Sequence, residues 1–305
     1  MRSLLSLAIG IGMVALCTAA QKSPASSETA VQQALALAEQ GRCKEALPTL
    51  RTNLAHITET KLRVTAAKVQ ARCGMSVSDD SATVSALLQM KRDAPRDPEV
   101  LYIWTHYFSQ LANDAAEQLA ASAPDSVEAQ RLNAEALESQ GKWEEASAAY
   151  HHILETAPDA PEIHYRLAQI ILQQPPSEAT AQQARTELEA EMKVNPRNAA
   201  AEFMLGELSR RNGEWEPAIA HFRQAAKLDA GFVEAYLALG MSLNSAGKFA
   251  EAIAPLQHYA QAQPEDAAGH YQLAMAYART GNKEAAARES ELQRKAAAKA
   301  PVNSH

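Results

Sequence analysis

The sequence has few aromatic residues, which make up 5% of its 305 positions, and it contains only 12 glycines. Strands favour aromatic and β-branched side chains, whereas the abundant Ala, Leu, Gln and Glu favour helices. The 47% of hydrophobic residues is enough for a large core. The net charge is -7, and acidic and basic residues are interspersed without a block of either sign. Nothing therefore indicates a nucleic-acid partner. The composition therefore predicts a helical protein.

Recognisable catalytic motifs are also missing. The sequence has no Gly-rich phosphate loop, no GxSxG and no HExxH. His151 and His152 are adjacent, so on a helix they point about 100° apart and do not face one metal ion together. His164 stands twelve residues further on, without a ligand pattern around it. We predict no catalytic residue, no metal and no cofactor, and an enzyme with an unrecognised site stays open as an alternative.

Long apolar runs are missing except for a short one at the N-terminus. Arg2 precedes "LLSLAIGIGMVAL", thirteen residues that are too few to span a bilayer comfortably, and "CTAA" supplies small residues before Gln21. This order is typical of a secretory signal. Residues 1–20 are therefore predicted to be an export signal and residues 21–26 a flexible lead-in. We expect a periplasmic or extracellular protein.

Cys17 offers a second interpretation of the N-terminus. "VALC" loosely resembles the lipobox of bacterial lipoproteins, in which the Cys is lipidated and begins the mature chain. That pattern has a small residue before the Cys, whereas this sequence has Leu16. An outer-membrane lipoprotein is thus the alternative localisation, and a membrane partner is expected only if Cys17 is lipidated.

Removal of the signal leaves two cysteines, Cys43 and Cys73. An even count in an oxidising compartment permits a disulfide. They form no CxxC pair, and no base for a catalytic thiol can be named. The two interpretations that remain are a structural disulfide and two small buried thiols.

A fixed interval is the most informative feature of the sequence. Gly213, Gly247 and Gly281 stand 34 residues apart, and Gly141 stands 72 residues before Gly213, which is two intervals plus four residues. The four extra residues lie in the Pro-rich stretch "QQPPSEAT". Other positions keep the same offset from each aligned glycine: Ala218, Ala252 and Ala286 five residues after it, and Gly206, Gly240 and Ala274 seven before it.

This spacing resembles that of the tetratricopeptide repeat (TPR) family, whose unit of 34 residues forms two antiparallel helices. The resemblance implies an all-α fold, an α-solenoid or TPR superhelix of about eight stacked helix pairs. Residues 127–300 match a regular array that ends in a C-terminal capping helix, and residues 301–305 form a tail. Residues 27–126 match loosely as three irregular units, the third of them a shortened pair around Tyr102 to Phe108.

The same resemblance implies a binding scaffold for a protein or peptide, because members of the family receive partners on a concave surface formed by the first helix of each unit. The alternatives are a lipid-anchored component of an envelope assembly and an accessory to an enzyme. Carrying the register of the family onto this sequence gives as candidate concave-surface residues Arg131, Tyr165, Gln169, Phe203, Arg210, Arg211, Met241, Asn244, Tyr271 and Arg279. Tyr165, Phe203 and Tyr271 share one repeat position, so packing between helices is their alternative role.

One binding pattern of the family is not matched. In that pattern a set of Lys, Asn and Arg residues grips a terminal carboxylate, but the corresponding positions here hold Glu135, Gln169 and Glu207. The resemblance therefore does not imply a partner bound by its chain end at this surface.

Overall fold

A computed structural model of the protein describes residues 24–299. The predicted export signal and the tail at residues 301–305 lie outside the described residues, and the first helix begins at Pro24, inside the predicted lead-in. Every regular element in the described range is helical. The range contains fifteen α-helices and one short 3-10 helix, Leu54–His56, and it contains no strand. The prediction of an all-α fold is confirmed.

The helices run in two compact units, unit one up to Ala115 and unit two from Ala116 onward. The bounds of the helices are α1 Pro24–Glu39, α2 Cys43–Asn53, α3 Thr60–Ser76, α4 Asp80–Asp93, α5 Pro98–Ser122, α6 Val127–Ser139, α7 Trp143–Thr156, α8 Ile163–Ile171, α9 Glu178–Val194, α10 Ala199–Arg211, α11 Trp215–Leu228, α12 Val233–Ser245, α13 Phe249–Ala262, α14 Ala267–Arg279 and α15 Lys283–Lys299.

Unit two contains five antiparallel helix pairs, which begin at α6, α8, α10, α12 and α14. The two helices of each pair pack against each other, and the second helix of each pair packs against the first helix of the next. Among the first helices, α12 also contacts α10 and α14 directly. Unit two is therefore a stack of helix pairs, and we call the set of its first helices the first-helix layer.

The 34-residue interval marks the turns after α10, α12 and α14. Gly213 and Gly247, in the turns after α10 and α12, have φ values of 73° and 74°. A side chain at this left-handed φ is disfavoured, and glycine adopts it without that cost. Gly41, Gly141 and Gly281 have positive φ values as well. Each of these glycines therefore lies in the turn that ends the first helix of its pair.

A second small residue lies where the two helices of a pair approach most closely. A Cβ placed on Gly206 of α10 would lie 2.7 Å from the ring of Phe222 on α11. The equivalent atom on Gly240 of α12 would lie 2.3 Å from Leu256 on α13. Phe222 and Leu256 are fully buried. A large residue on the second helix therefore fills the space that the glycine on the first helix leaves open.

Helix α5 differs from the sequence prediction. The segment predicted to be a shortened helix pair is one continuous helix, Pro98–Ser122. Its only proline is the first residue, and it contains no glycine, so neither a helix breaker nor a left-handed turn interrupts it. Within unit one, Tyr107 anchors α5 by donating a hydrogen bond to Asp80 at 2.8 Å, and burial raises the pKa of Tyr107 to about 12.

The core of unit one lies among α1 to α4 and the first half of α5. Leu50, Leu87 and Met90 are fully buried in it, and Trp104 donates its indole N–H to the carbonyl oxygen of Leu87 at 2.9 Å. A disulfide joins Cys43, the first residue of α2, to Cys73 near the end of α3, with the two Cα atoms 5.0 Å apart. The disulfide lies beside a small apolar cluster that includes Leu47 and Ala82.

An ion pair joins α3 to α4 in the same unit. Arg63 donates from Nε and Nη2 to the two carboxylate oxygens of Asp93, at 2.6 and 2.8 Å, and from Nη1 to the carbonyl oxygen of Ile57 at 2.7 Å. The two charged side chains are only 18% and 11% exposed. The hydrogen bond from Arg63 holds the pKa of Asp93 below its usual value.

This pair makes the stability of unit one depend on acid pH. Because the folded-state pKa of Asp93 is lowered, the pair contributes fully above the unfolded-state pKa of about 3.9 and loses its contribution as pH falls through the folded-state value. We expect Asp93→Asn to lower the free energy of unfolding by about 1.5 kcal/mol near neutral pH, with the gap to wild type closing in acid. Urea denaturation at several pH values measures the gap, and a constant gap would contradict the prediction. Glu45→Gln, which removes an exposed pair with Arg42, is the control.

The last described helix, α15, is mostly exposed and polar. Only Ala285 and Ala296 of α15 are buried, and exposed ion pairs join Arg288 to Glu284 and Arg294 to Glu291. A polar outer face keeps the end of a repeat array soluble. None of the helices in residues 24–299 has the length and apolar character needed to cross a membrane.

Candidate functional site

The candidate surface is the layer of first helices in unit two, formed by α6, α8, α10, α12 and α14. All ten candidate residues lie on these helices. Their surroundings differ strongly, because some side chains are used in packing or in hydrogen bonds within the layer and others are open to solvent. The contacts of each side chain decide which of them are available to a partner.

Arg131 on α6 and the Tyr165–Gln169 pair on α8 are held by neighbours. Arg131 donates from Nη2 to the carbonyl oxygen of Pro161 at 2.8 Å, which fixes it to the loop before α8. Gln169 donates its amide to the hydroxyl of Tyr165 at 3.0 Å, one turn away on the same helix. Burial raises the pKa of Tyr165. These three side chains are half-buried, so only part of each is accessible to a binding partner.

Phe203 and Asn244 are used in packing within the array. The ring of Phe203 lies 5.3 Å from that of Phe222 and 4.8 Å from that of Phe232, measured between centroids. Asn244 is 5% exposed and donates from Nδ2 to the carbonyl oxygen and the side-chain oxygen of Gln272, at 3.0 and 3.1 Å. Phe203 thus belongs to an aromatic cluster, and Asn244 ties α12 to α14.

The neighbours Arg210 and Arg211 have different surroundings. Arg210 donates from Nε and Nη2 to the carboxylate of Glu207 on the previous turn, at 2.9 and 2.7 Å, and this pairing raises the pKa of Arg210. Arg211 is exposed, and among residues 24–299 it has neither a hydrogen-bond nor an ion-pair partner. The two adjacent guanidinium groups are therefore not equivalent, and only that of Arg211 is free to bind an added group.

Met241, Tyr271 and Arg279 are the open residues of α12 and α14. Tyr271 is 55% exposed, and Met241 is half-buried. The guanidinium of exposed Arg279 lies 5.4 Å from the centroid of the Phe249 ring, where a cation–π interaction orients it. The surface left open at this end of the layer therefore combines an aromatic ring, a flexible thioether and a guanidinium, which are side chains enriched in binding interfaces.

A cleft of about 690 Å³ lies beside this layer and was not predicted. The loop between α8 and α9 and the turn between α10 and α11 form its walls, and Arg185 and Arg211 both line it. We call it the α8–α9 cleft. The sequence signal was the four-residue insertion in "QQPPSEAT", which lengthens this one loop, but an insertion alone does not reveal that a cleft results.

Four histidines each contact a single carboxylate and form no cluster with one another. Three of them each bind one carboxylate of the other helix of the same pair, with nitrogen–oxygen distances of 2.7 Å: His164 with Glu187, His221 with Glu202 and His270 with Glu289. His152 contacts Glu155 on its own helix. In the part of the chain that the structure describes, no three His, Cys, Asp or Glu side chains come together as a metal site.

Sequence comparison finds tetratricopeptide repeats in the chain. One profile described as Tetratricopeptide repeat matches residues 127–170, and a second with the same description matches the overlapping stretches 181–231, 203–267 and 237–301. Together the matches take up more than half of the chain. A search of curated proteins gave no significant match.

Solved structures share the fold at low sequence identity. YrrB, described as a TPR protein with an unusual peptide-binding site, superposes with a TM-score of 0.52 at 20% identity, over 61% of this chain and 94% of its own. MamA from Desulfovibrio magneticus RS-1 gives 0.50 at 17% identity, over 58% and 98%. At these identities the similarity concerns the fold alone.

Proposed function

The chain belongs to the tetratricopeptide repeat family, and we propose that it is an exported scaffold that binds an extended peptide or a protein segment. The binding surface is the open part of the first-helix layer of unit two, around Met241, Tyr271 and Arg279. Members of this fold class are scaffold and binding proteins, and the fold neighbour YrrB is described as having a peptide-binding site. The observation that carries the proposal is the exposure of Tyr271 and Arg279, with half-buried Met241 on the preceding first helix.

The chemistry of this surface favours an internal segment with apolar and acidic residues. Tyr271 and Met241 present apolar surface that a side chain of the partner covers, and Arg279 is positioned for a carboxylate by the ring beneath it. Glu207 occupies a position that a basic or amide residue holds in the family's carboxylate-gripping pattern, and its charge is paired with Arg210. A terminal carboxylate is therefore not the group that this part of the layer recognises.

Selection from a phage-displayed library of random peptides tests the binding surface. We expect peptides selected on the mature chain to lose at least about tenfold in affinity on Met241→Ala or Tyr271→Ala, because exposed anchor side chains contribute about 1.4 kcal/mol or more. The melting temperature is expected to stay unchanged, since neither side chain is in the core.

Gln261→Ala is the matched control, because Gln261 is exposed on α13, a second helix. It is expected to leave the affinity of the same peptides unchanged. Peptides that bind the Met241 and Tyr271 variants as tightly as wild type would place the binding surface elsewhere.

The proposed export rests on the N-terminal residues and on the disulfide. Disulfides persist in oxidising compartments and are rare in the cytosol. We expect the mature chain isolated from the envelope to begin at Gln21, because the small residues before it match a signal cleavage site. Intact-mass spectrometry decides between this product and the lipid-anchored alternative: a diacylated N-terminal Cys17 would contradict soluble export and make the protein an envelope lipoprotein.

A further inference from the structure

The α8–α9 cleft exists because one turn of the repeat array is longer than the others. Residues 172–177 separate α8 from α9, whereas residues 212–214 separate α10 from α11. Pro175 and Pro176 lie within the long loop, where they cannot continue either helix. Ser177 is the N-cap of α9 and forms a capping box, which fixes the end of the loop. The cleft therefore lies where the array departs from its regular spacing.

Two guanidinium groups face this space, and their hydrogen-bonding capacity is largely unused. Arg185 is 19% exposed, and its contacts are long: both terminal nitrogens lie 3.4 Å from the hydroxyl of Ser209, and Nη2 lies 3.4 Å from Glu214. Arg211 has no partner among the described residues, as shown above. Hydrogen bonds from a guanidinium group to a carboxylate are normally 2.7–2.9 Å long. These two therefore have donors left for an added acceptor.

The acidic residues of the cleft do not neutralise both arginines. Glu214 is the partner of Arg185 at 3.4 Å and also accepts a hydrogen bond from Asn212. Glu178 lines the cleft but forms no ion pair with Arg211 in the described part of the molecule. One uncompensated guanidinium thus remains in the lining, together with a second one that is only loosely paired.

The rest of the lining limits the size and character of a ligand. Leu172, Leu208 and Pro176 supply apolar surface, while Gln174 and Gln182 supply amides. Most of the remaining lining is polar, and a volume of a few hundred to about 1,000 Å³ is typical of small-ligand sites. A ligand that fits has a carboxylate for the two arginines and a short aliphatic group for the leucines.

We propose that the α8–α9 cleft is a second binding site, which takes a carboxylate attached to a short aliphatic group. The site is independent of the surface around Tyr271. The carboxylate lies between Arg185 and Arg211 and displaces the long contact between Arg185 and Glu214. Two sources share this chemistry, a free organic acid and the C-terminal residue of a peptide.

Titration with N-acetyl-leucine, followed by the backbone amide signals of Asn212 and Gly213 in NMR spectra, tests the proposal. We expect saturable shifts with a dissociation constant in the millimolar range, and none with the neutral N-acetyl-leucinamide. Arg211→Gln is expected to weaken binding at least about fivefold, because a charged hydrogen bond is lost. Glu214→Gln is expected to tighten binding, because Arg185 loses its competing partner.

Arg210→Gln is the matched control, since Arg210 is the adjacent residue and its charge is already paired with Glu207. It should leave binding within about twofold of wild type. Tyr271→Ala should also leave it unchanged, so failure of the peptide-binding proposal and failure of this one are distinguishable. Equal binding of the acid and the amide, or no saturable shift at tens of millimolar ligand, would overturn the proposal.

A tripeptide that ends in leucine separates the two sources. Binding at least about tenfold tighter than that of N-acetyl-leucine would identify a peptide C-terminus as the ligand, because the additional residues then make contacts of their own. Equal affinity would identify a small organic acid. Both results require the carboxylate, and both ligands are expected to bind more weakly to Arg211→Gln.

Discussion

Reduction of the disulfide between Cys43 and Cys73 is expected to lower the free energy of unfolding of unit one by about 3 kcal/mol. The two residues are 30 positions apart in sequence, so the cross-link closes a loop that contains most of α2 and α3. A cross-link of this length restricts the unfolded chain and leaves the folded one little changed. Cys73 is 2% exposed, so a reductant in solution has little access to its sulfur atom.

Hydrogen exchange measured by mass spectrometry locates the effect. Peptides from α1 to α4 should exchange faster after reduction, while peptides from unit two should be unaffected, since repeat arrays are stabilised by neighbouring contacts. Cys43→Ser with Cys73→Ser should reproduce the reduced state and show no further response to reductant. Two free thiols on titration of the denatured, unreduced mature protein would contradict the bridge itself.

The regular half of the fold could be predicted from the sequence because one physical requirement recurs at most of its turns. In four of the five helix pairs of unit two a glycine at a left-handed φ ends the first helix, as at Gly213, and a small residue lets the helices approach, as at Gly206. Both requirements concern residues at fixed positions within one helix pair, so they recur at fixed intervals in the sequence. The α5 segment has no such marker, and its aromatic residues gave no sign that the helix continues to Ser122.

The candidate surface was only partly predictable, because the environment of a repeat position depends on what packs against it. Phe203 and Tyr271 occupy the same position in their units, yet Phe203 lies against Phe232 and Tyr271 is 55% exposed. Arg210 and Arg211 are adjacent, and only the spacing to Glu207 on the same helix distinguishes them. Contacts across helix pairs have no fixed offset in sequence, and the α8–α9 cleft is formed by such contacts.

Phe222→Ala is expected to destabilise unit two by about 3–5 kcal/mol, which is the largest effect that we predict. The ring is fully buried, lies over Gly206 of the facing helix and packs against Phe203. Its removal leaves a cavity at the closest approach of α10 and α11. Urea denaturation followed by helical circular dichroism, with hydrogen exchange to assign the loss to α10–α11, measures this effect.

The effect of Gly206→Ala on the free energy of unfolding is expected to have opposite signs in the wild-type chain and in the Phe222→Ala variant. In an open helix the substitution gains about 1 kcal/mol, because alanine is the better helix former. In the wild-type chain the new Cβ would lie 2.7 Å from the Phe222 ring, so we expect a net destabilisation of about 1–3 kcal/mol from overpacking. In the Phe222→Ala background the obstacle is gone, and the same substitution should stabilise by about 1 kcal/mol.

Gly213→Ala is the control that separates packing from backbone conformation. No atom lies within 4 Å of a Cβ placed there, but the residue has a φ of 73°. Its cost of about 1 kcal/mol arises from the left-handed backbone and should be equal in both backgrounds. If Gly206→Ala also lowers the free energy of unfolding equally in both backgrounds, the Phe222 ring is not the reason for the glycine at position 206. If the sign reverses, the small residue on the first helix and the large one on the second form one packing unit, which explains why the sequence keeps both at a fixed offset from each turn.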